Sequence, residues 1–206
     1  MGKIEINKRI KKQKILHAAL LLFTTKGITE TSISDIMKKA GLAKGTFYLY
    51  FKDKYDVRNQ LVSIESSHLF QKADEALQKT DLSSFEDKII FIIDYVLDLL
   101  SENKQLTSFI SKNLSWGVFK YALMNTESVE ATEPVLDFYS IYQRMLDDSP
   151  HELKNPEVLL FMIIELAGST CYSCILYNEP MGIEEYKPYL YQTVRDMIKG
   201  QMITSK

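Results

Sequence analysis

The densest set of residues with chemistry to offer lies between Lys44 and Lys54. Lys44, Gly45, Thr46, Tyr48 and Tyr50 occupy the exposed positions of a short predicted helix, Lys44 to Phe51, which Phe47 and Phe51 anchor from beneath at i and i+4. Lys44 can reach a guanine edge or a phosphate, and Gly45 places no side chain between the backbone and a duplex. The tyrosine hydroxyls suit phosphate oxygens. The N-terminus of the helix adds partial positive charge and unpaired N–H groups facing the same polyanion.

Other reactive types are scattered. Cys171 and Cys174 form a C-x-x-C, a spacing used in redox and metal sites, but here it falls inside a predicted helix with no histidine nearby. The small residues around it point to close helix packing, and a thiol sensor is the alternative. His17, His68 and His151 are far apart, and neither a glycine-rich phosphate loop nor metal-ligand spacing occurs. No catalytic residues, cofactor or metal are therefore expected.

Apolar positions recur at helical spacing almost throughout, and no segment alternates with period two for long, so the fold class is all-α. The first helix, about Lys8 to Lys26, carries Ile15, Ala18, Ala19, Leu22 and Phe23 on one stripe and ends at Gly27. Ser32 and Asp35 make an approximate capping box for a second helix to Ala40, followed by a Gly41-Leu42 turn into the third. Asp53 is placed to cap a long fourth helix, about Lys54 to Leu77. Later helices are expected at Ser84 to Glu102, Leu106 to Lys112, Trp116 to Met124, Pro134 to Leu146, Asn155 to Tyr177 and Glu184 to Met202, ten segments in all that make about nine helices.

Charge divides the chain in two. Residues 1–60 hold thirteen Lys and Arg against five Asp and Glu, a net of +8; the other 146 hold twelve against twenty-two, a net of −10. A basic head on an acidic body suggests that the head binds a polyanion and the body has another task. Residues 3–14 carry six of the cations and are read either as an arm reaching a minor groove or as a disordered tail. With 206 residues, 46% apolar and 25% charged, the chain falls in the ordinary globular range. Its longest apolar runs, Ala18 to Phe23 and Val158 to Ile164, fall short of the roughly 18 residues of a membrane span. No signal-peptide cleavage site follows the first apolar stretch, and two cysteines suit a reducing compartment, so a cytoplasmic protein with no membrane partner is expected.

The run Thr31-Ser32-Ile33-Ser34-Asp35-Ile36-Met37-Lys38-Lys39-Ala40-Gly41-Leu42-Ala43-Lys44-Gly45-Thr46-Phe47-Tyr48-Leu49-Tyr50-Phe51-Lys52-Asp53-Lys54 resembles the DNA-binding segment of the TetR family of bacterial transcriptional regulators. The likeness covers about residues 10–60. It implies phosphate contacts from Thr31, Ser32, Tyr48, Tyr50 and Lys54, and base or backbone contacts from Lys44, Gly45 and Thr46. Ala43 stands where the family usually has Ser or Thr, so the third helix lacks a side-chain cap. The resemblance further implies a helix-turn-helix head (1–53) and a helical body (54–206) that dimerises and binds a small-molecule effector, with release of a double-stranded, palindromic operator. A helical interaction module without specific DNA binding is the second reading, and it leaves the +8 head unexplained.

For an effector pocket the candidates are Asp94, Phe109, Trp116, Phe119, Tyr121, Phe138, Tyr142 and Glu165. Asp94 and Asp98, at i and i+4, would suit a cationic ligand or merely a solvated face. For a homodimer of the last two helices the candidates are Leu160, Ile163, Ile164, Ala167, Cys171, Leu190, Val194 and Met197.

Overall fold

The computed structural model describes residues 2–113 and 138–203, with side chains left out at 111–113 and 138. Among these residues the chain is all helix, in the order α1 (Lys3–Thr25), α2 (Ile33–Ala40), a 3-10 helix (Lys44–Leu49), α3 (Lys54–Leu77), α4 (Phe85–Glu102), α5 (Lys104–Asn113), α6 (Phe138–Asp147), α7 (Pro156–Tyr177) and α8 (Ile183–Gln201). The expected helix at Trp116 to Met124 lies outside the described residues.

Local signals account for most boundaries. Asp53 accepts from the backbone N–H of Tyr55 and Asp56 and starts α3. Ser84 accepts from Asp87 and starts α4, and Asn155 accepts from Val158 with Pro156 at the first helical position of α7. Two expectations need correcting. The basic stretch 3–14 is neither an extended arm nor a coil: it continues α1 back to Lys3, with no buried residue before Ile15. The segment after Gly41 winds as a 3-10 helix and not as an α-helix, because no cap supports its first N–H groups and a short segment closes more easily with i→i+3 bonds. Pro188, the sixth residue of α8, lies beyond the uncapped first turn and removes one helical hydrogen bond.

Two hydrophobic clusters form. In the head, Ile15, Ala18, Ala19 and Phe23 of α1 close on Ile36, Met37, Phe47 and Phe51, together with Val57, Leu61, Val62 and Leu69 of α3. In the body, Ala73 and Leu77 of α3 join α4, α6, α7 and α8. One helix therefore lies in both cores. At about 1.5 Å per residue the 24 residues of α3 span about 36 Å, and α5 adds a second link, because Phe109 and Ile110 pack into the head cluster.

The helix α7 holds more apolar surface than its own chain covers. By length and composition it could cross a membrane, although the runs read from sequence looked too short, and only 33% of its apolar window is buried. Leu159, Leu160 and Ile163 face the core, whereas Val158 and Phe161 are exposed.

Candidate nucleic-acid interface

The head is built to present one short surface. Ser32 Oγ accepts from the Asp35 N–H (3.1 Å) while Asp35 accepts from the Ser32 N–H (3.0 Å), which closes the capping box of α2. Those bonds from Ser32, backbone first, hold the Asp35 carboxyl below its usual range. Gly41 ends α2 at φ +68°, a left-handed conformation that costs glycine nothing, and Leu42 N–H returns to Met37 O (3.0 Å). The chain then turns into Lys44–Leu49.

In a 3-10 helix residues three apart eclipse one another. Phe47 sits on the inward row and is fully buried, and Tyr50, next on that row, is half-buried against the head core. The two outward rows are Gly45 with Tyr48 and Thr46 with Leu49. Tyr48 is 60% exposed, its ring edge-on to Phe47 with centroids 5.5 Å apart. Beside it, Ser32, Ile33, Ser34, Lys44, Tyr48, Asp53 and Lys54 line an open hollow. Lys44, Tyr48 and Ser32 thus share one surface, with Gly45 on the Tyr48 row and Thr46 on the next.

Two expected phosphate ligands are otherwise engaged. Lys54 Nζ donates to Ile28 O (2.8 Å), Thr29 O (3.0 Å) and Thr31 O (3.0 Å). An ammonium has three donors, so Lys54 is a clamp that fastens the α1–α2 loop to the start of α3. Thr31 is fully buried, and its hydroxyl donates to Gly27 O (2.7 Å). Motif position alone does not separate a residue that touches DNA from one that shapes the loop beside it. Leu49, absent from the sequence candidates, is 78% exposed on the outward face; its place beside Thr46 was hidden until the segment's winding was known.

Comparisons with known proteins agree with this geometry. Residues 15–61 match the family described as bacterial regulatory proteins, tetR family. Over these residues the head is similar to that family. The curated relatives it matches are HTH-type transcriptional regulators. The HTH-type transcriptional regulator YvdT of Bacillus subtilis is 59% identical over 44 residues, 21% of this chain and 23% of that protein. The fatty acid metabolism regulator protein of Bacillus subtilis is 29% identical over 99 residues, 48% of this chain and 50% of that one. The chain thus spans half or less of the length of these two relatives. The solved structure of the transcriptional regulator FadR from Bacillus subtilis in complex with stearoyl-CoA shares the fold, with a TM-score of 0.63 at 18% identity, over 91% of this chain and 98% of that one.

In the body, the pocket candidates do not gather. Phe109 is buried and stacks on Phe23 of α1, with centroids 6.2 Å apart, so it joins head to body. Tyr142 is fully buried, edge-on to Phe85, and its hydroxyl donates to Pro156 O (2.9 Å). Burial pushes that hydroxyl's pKa up. Asp94 receives a cation from the chain itself, at 3.0 Å from Lys187 Nζ, and accepts a hydrogen bond from Tyr191. Lys187 also bonds Asp98 and pairs with Glu184 at 3.1 Å. Burial alone would lower the lysine's pKa; the bonds from Asp98, Asp94 and Glu184 outweigh it and raise it. Glu165 is half-buried on α7. Trp116, Phe119 and Tyr121 lie outside the described residues, as does the Phe138 side chain.

The dimer candidates divide by facing. Leu160, Ile163, Cys171, Leu190 and Val194 are buried in the protomer's own core and have no surface left to give a partner. Ile164, Ala167 and Met197 are half-buried at the margin. The outward row of α7 is Val158, Phe161, Glu165, Ser169 and Tyr172, and the exposed residue of α8 beside it in type is Tyr189. The amino-acid pattern had marked the inward face because it is the more apolar one. Both cysteines are free and buried. Burial raises Cys171 to about 12 and Cys174 in the same direction, which keeps both thiols protonated and slow to react, in line with packing.

Proposed function

We propose that the chain acts in the bacterial cytoplasm as a ligand-responsive repressor. In this reading it binds a palindromic operator as a homodimer and is released by a small-molecule effector held in the body. The head, residues 1–53, supplies DNA contact, and residues 54–206 supply dimerisation and effector binding. The observation that carries the reading is the outward surface of Lys44–Leu49, exposed on a buried Phe47 mount and flanked by Ser32. A duplex major groove accepts a helical segment of this width and offers phosphates to its lysines and hydroxyls.

The dimer is proposed on the exposed apolar row of α7 with α8, because that surface exceeds what the protomer covers. Two-fold symmetry would set two recognition segments about 34 Å apart, one helical turn of DNA. The proposed transmission runs through α3, which shares both cores, and through α5 with its Phe23–Phe109 stack. The Asp74–Arg144 pair ties α6 to the body end of α3. A tilt of α3 would change head spacing without altering the recognition surface.

A similar fold in the FadR complex with stearoyl-CoA makes long-chain acyl-CoA the first effector class to try. The experiment is a gel shift of the purified protein on duplexes enriched from its own promoter region, with and without stearoyl-CoA and a panel of small molecules. Sequence-specific retention and its reversal by a ligand are expected. Equal retention of random and promoter DNA would overturn the reading.

A further inference from the structure

The recognition surface contains one residue that phosphate chemistry leaves without a task. Leu49 is 78% exposed, more than any other large apolar side chain in the described residues, although it stands among Lys44, Thr46 and Tyr48. Its backbone is not loose. Phe47 and Phe51 on either side are buried with ring centroids 5.7 Å apart, and the Phe51 N–H returns to Phe47 O (3.1 Å). The leucine is therefore held outward by a rigid mount, on the same row as Thr46. The floor of a major groove is polar except for one group, the C5 methyl of thymine.

We propose that Leu49 reads the C5 methyl group of a thymine in each half-site, which makes it a specificity-determining residue for this regulator. The proposal rests on the reading of the chain as a sequence-specific DNA-binding protein. Its position supports the assignment: Leu49 follows Tyr48 in the same exposed segment, on the neighbouring row, and the thymine methyl is the apolar partner a duplex major groove provides. Contact takes one methyl group and part of a leucine out of water. No hydrogen bond is involved, so the discrimination is between thymine and any base lacking that methyl.

The full-length protein is first used to enrich duplexes from a randomised pool. In the best duplex, thymines are replaced by deoxyuridine, one symmetric pair at a time, which removes only the methyl group. Binding should weaken at one pair of positions by about fourfold per half-site, the equivalent of one methyl group withdrawn from water. Leu49→Ala should weaken binding to the thymine duplex by a similar factor and bind the thymine and deoxyuridine duplexes alike. Leu49→Met should keep the preference. An unchanged unfolding midpoint for both variants is expected of an exposed site and separates recognition from folding.

The proposal is overturned if no thymine pair responds to deoxyuridine, if the preference survives in Leu49→Ala, or if that variant weakens both duplexes without erasing the preference. The first outcome leaves specific binding intact and removes only this inference. A pool that yields no enriched sequence would instead remove the regulator reading and this inference with it.

Discussion

Head and body treat their charges in opposite ways. Of the thirteen cations through residue 60, one pairs with a carboxylate, Lys26 with Asp35 at 4.0 Å. In the described body, Lys88, Arg144, Lys187 and Arg195 all pair with acids, mostly on another helix. The head keeps its positive field outward, where a polyanion can neutralise it. The body uses these four cations to join segments distant in sequence. The same residue types thus serve affinity in one region and assembly in the other, and Lys54 is the exception that tests the division.

The largest effect is expected where that exception lies. Lys54→Met would leave the carbonyls of Ile28, Thr29 and Thr31 without their ammonium; a hydrogen bond to a charged group is worth about 1.5–3 kcal/mol net, and at this half-buried site water can replace part of the three. Unfolding stability should fall by about 3 kcal/mol in urea titration, and DNA affinity should fall with it. Lys44→Ala should do the reverse, leaving the urea midpoint unchanged and reducing the salt slope of binding by about 0.9 for each phosphate that the lysine neutralises. If Lys54→Met changes only the slope, Lys54 belongs with the head's other outward cations and the division has no exception.

Next comes the body's own cluster. Lys187 is 10% exposed, while its partners Asp94, Asp98 and Glu184 are about half-exposed or more. Removing the lysine leaves carboxylates that water can still reach, so Lys187→Met should cost less than a fully buried pair, about 1–2 kcal/mol. The loss should be nearly independent of added DNA. A loss of operator affinity without loss of stability would show that the cluster serves signalling and not assembly.

These two lysines also mark where sequence reading succeeds and where it stops. Asp53, Ser84 and Asn155-Pro156 were legible because a cap acts on backbone two or three residues away. The capping box of Ser32 and the glycine turn at Gly41 were legible for the same reason. Lys54 reaches back 23 to 26 residues to its carbonyls, and Lys187 reaches 89 residues to Asp98. Nothing in local spacing encodes such contacts. The inward and outward faces of α7 were confused because both are apolar, and the periodicity that separates faces needs a polar side to be read against.

A third test concerns the basic turns of α1. Nothing before Ile15 is buried, so deleting residues 2–12 should leave the unfolding midpoint within error. It removes Lys3, Lys8, Arg9, Lys11 and Lys12. An α-helix about 10–12 Å across does not fit a minor groove about 6 Å wide, so these cations are expected along the phosphates. The salt slope should flatten by the equivalent of one or two phosphates, with affinity falling about tenfold at moderate salt. An unchanged slope would make the stretch a surface without a role in binding.

The smallest effect is the most specific to the body. Arg195 on α8 holds Asp87 at 2.8 Å and Glu86 at 3.5 Å, both in the first turn of α4. The Arg195 bond, with a second from Ser84, keeps the Asp87 carboxyl below its ordinary pKa. Asp87 is 43% exposed, so solvent screening limits the pair to less than about 1 kcal/mol. Because the folded pKa lies below the unfolded one of about 3.9, the contribution is complete above that unfolded value. It drains away as pH falls through the folded value and the carboxylate takes up its proton. Arg195→Gln should therefore lower the urea midpoint slightly at pH 7, and its gap from the parent protein should close on titration below about pH 4. The gap should also shrink at 1 M salt, where the screening length is about 3 Å. A gap that persists unchanged in acid would assign the arginine's contribution to the packing of its stem, and the body's charges would then differ from the head's in place but not in purpose.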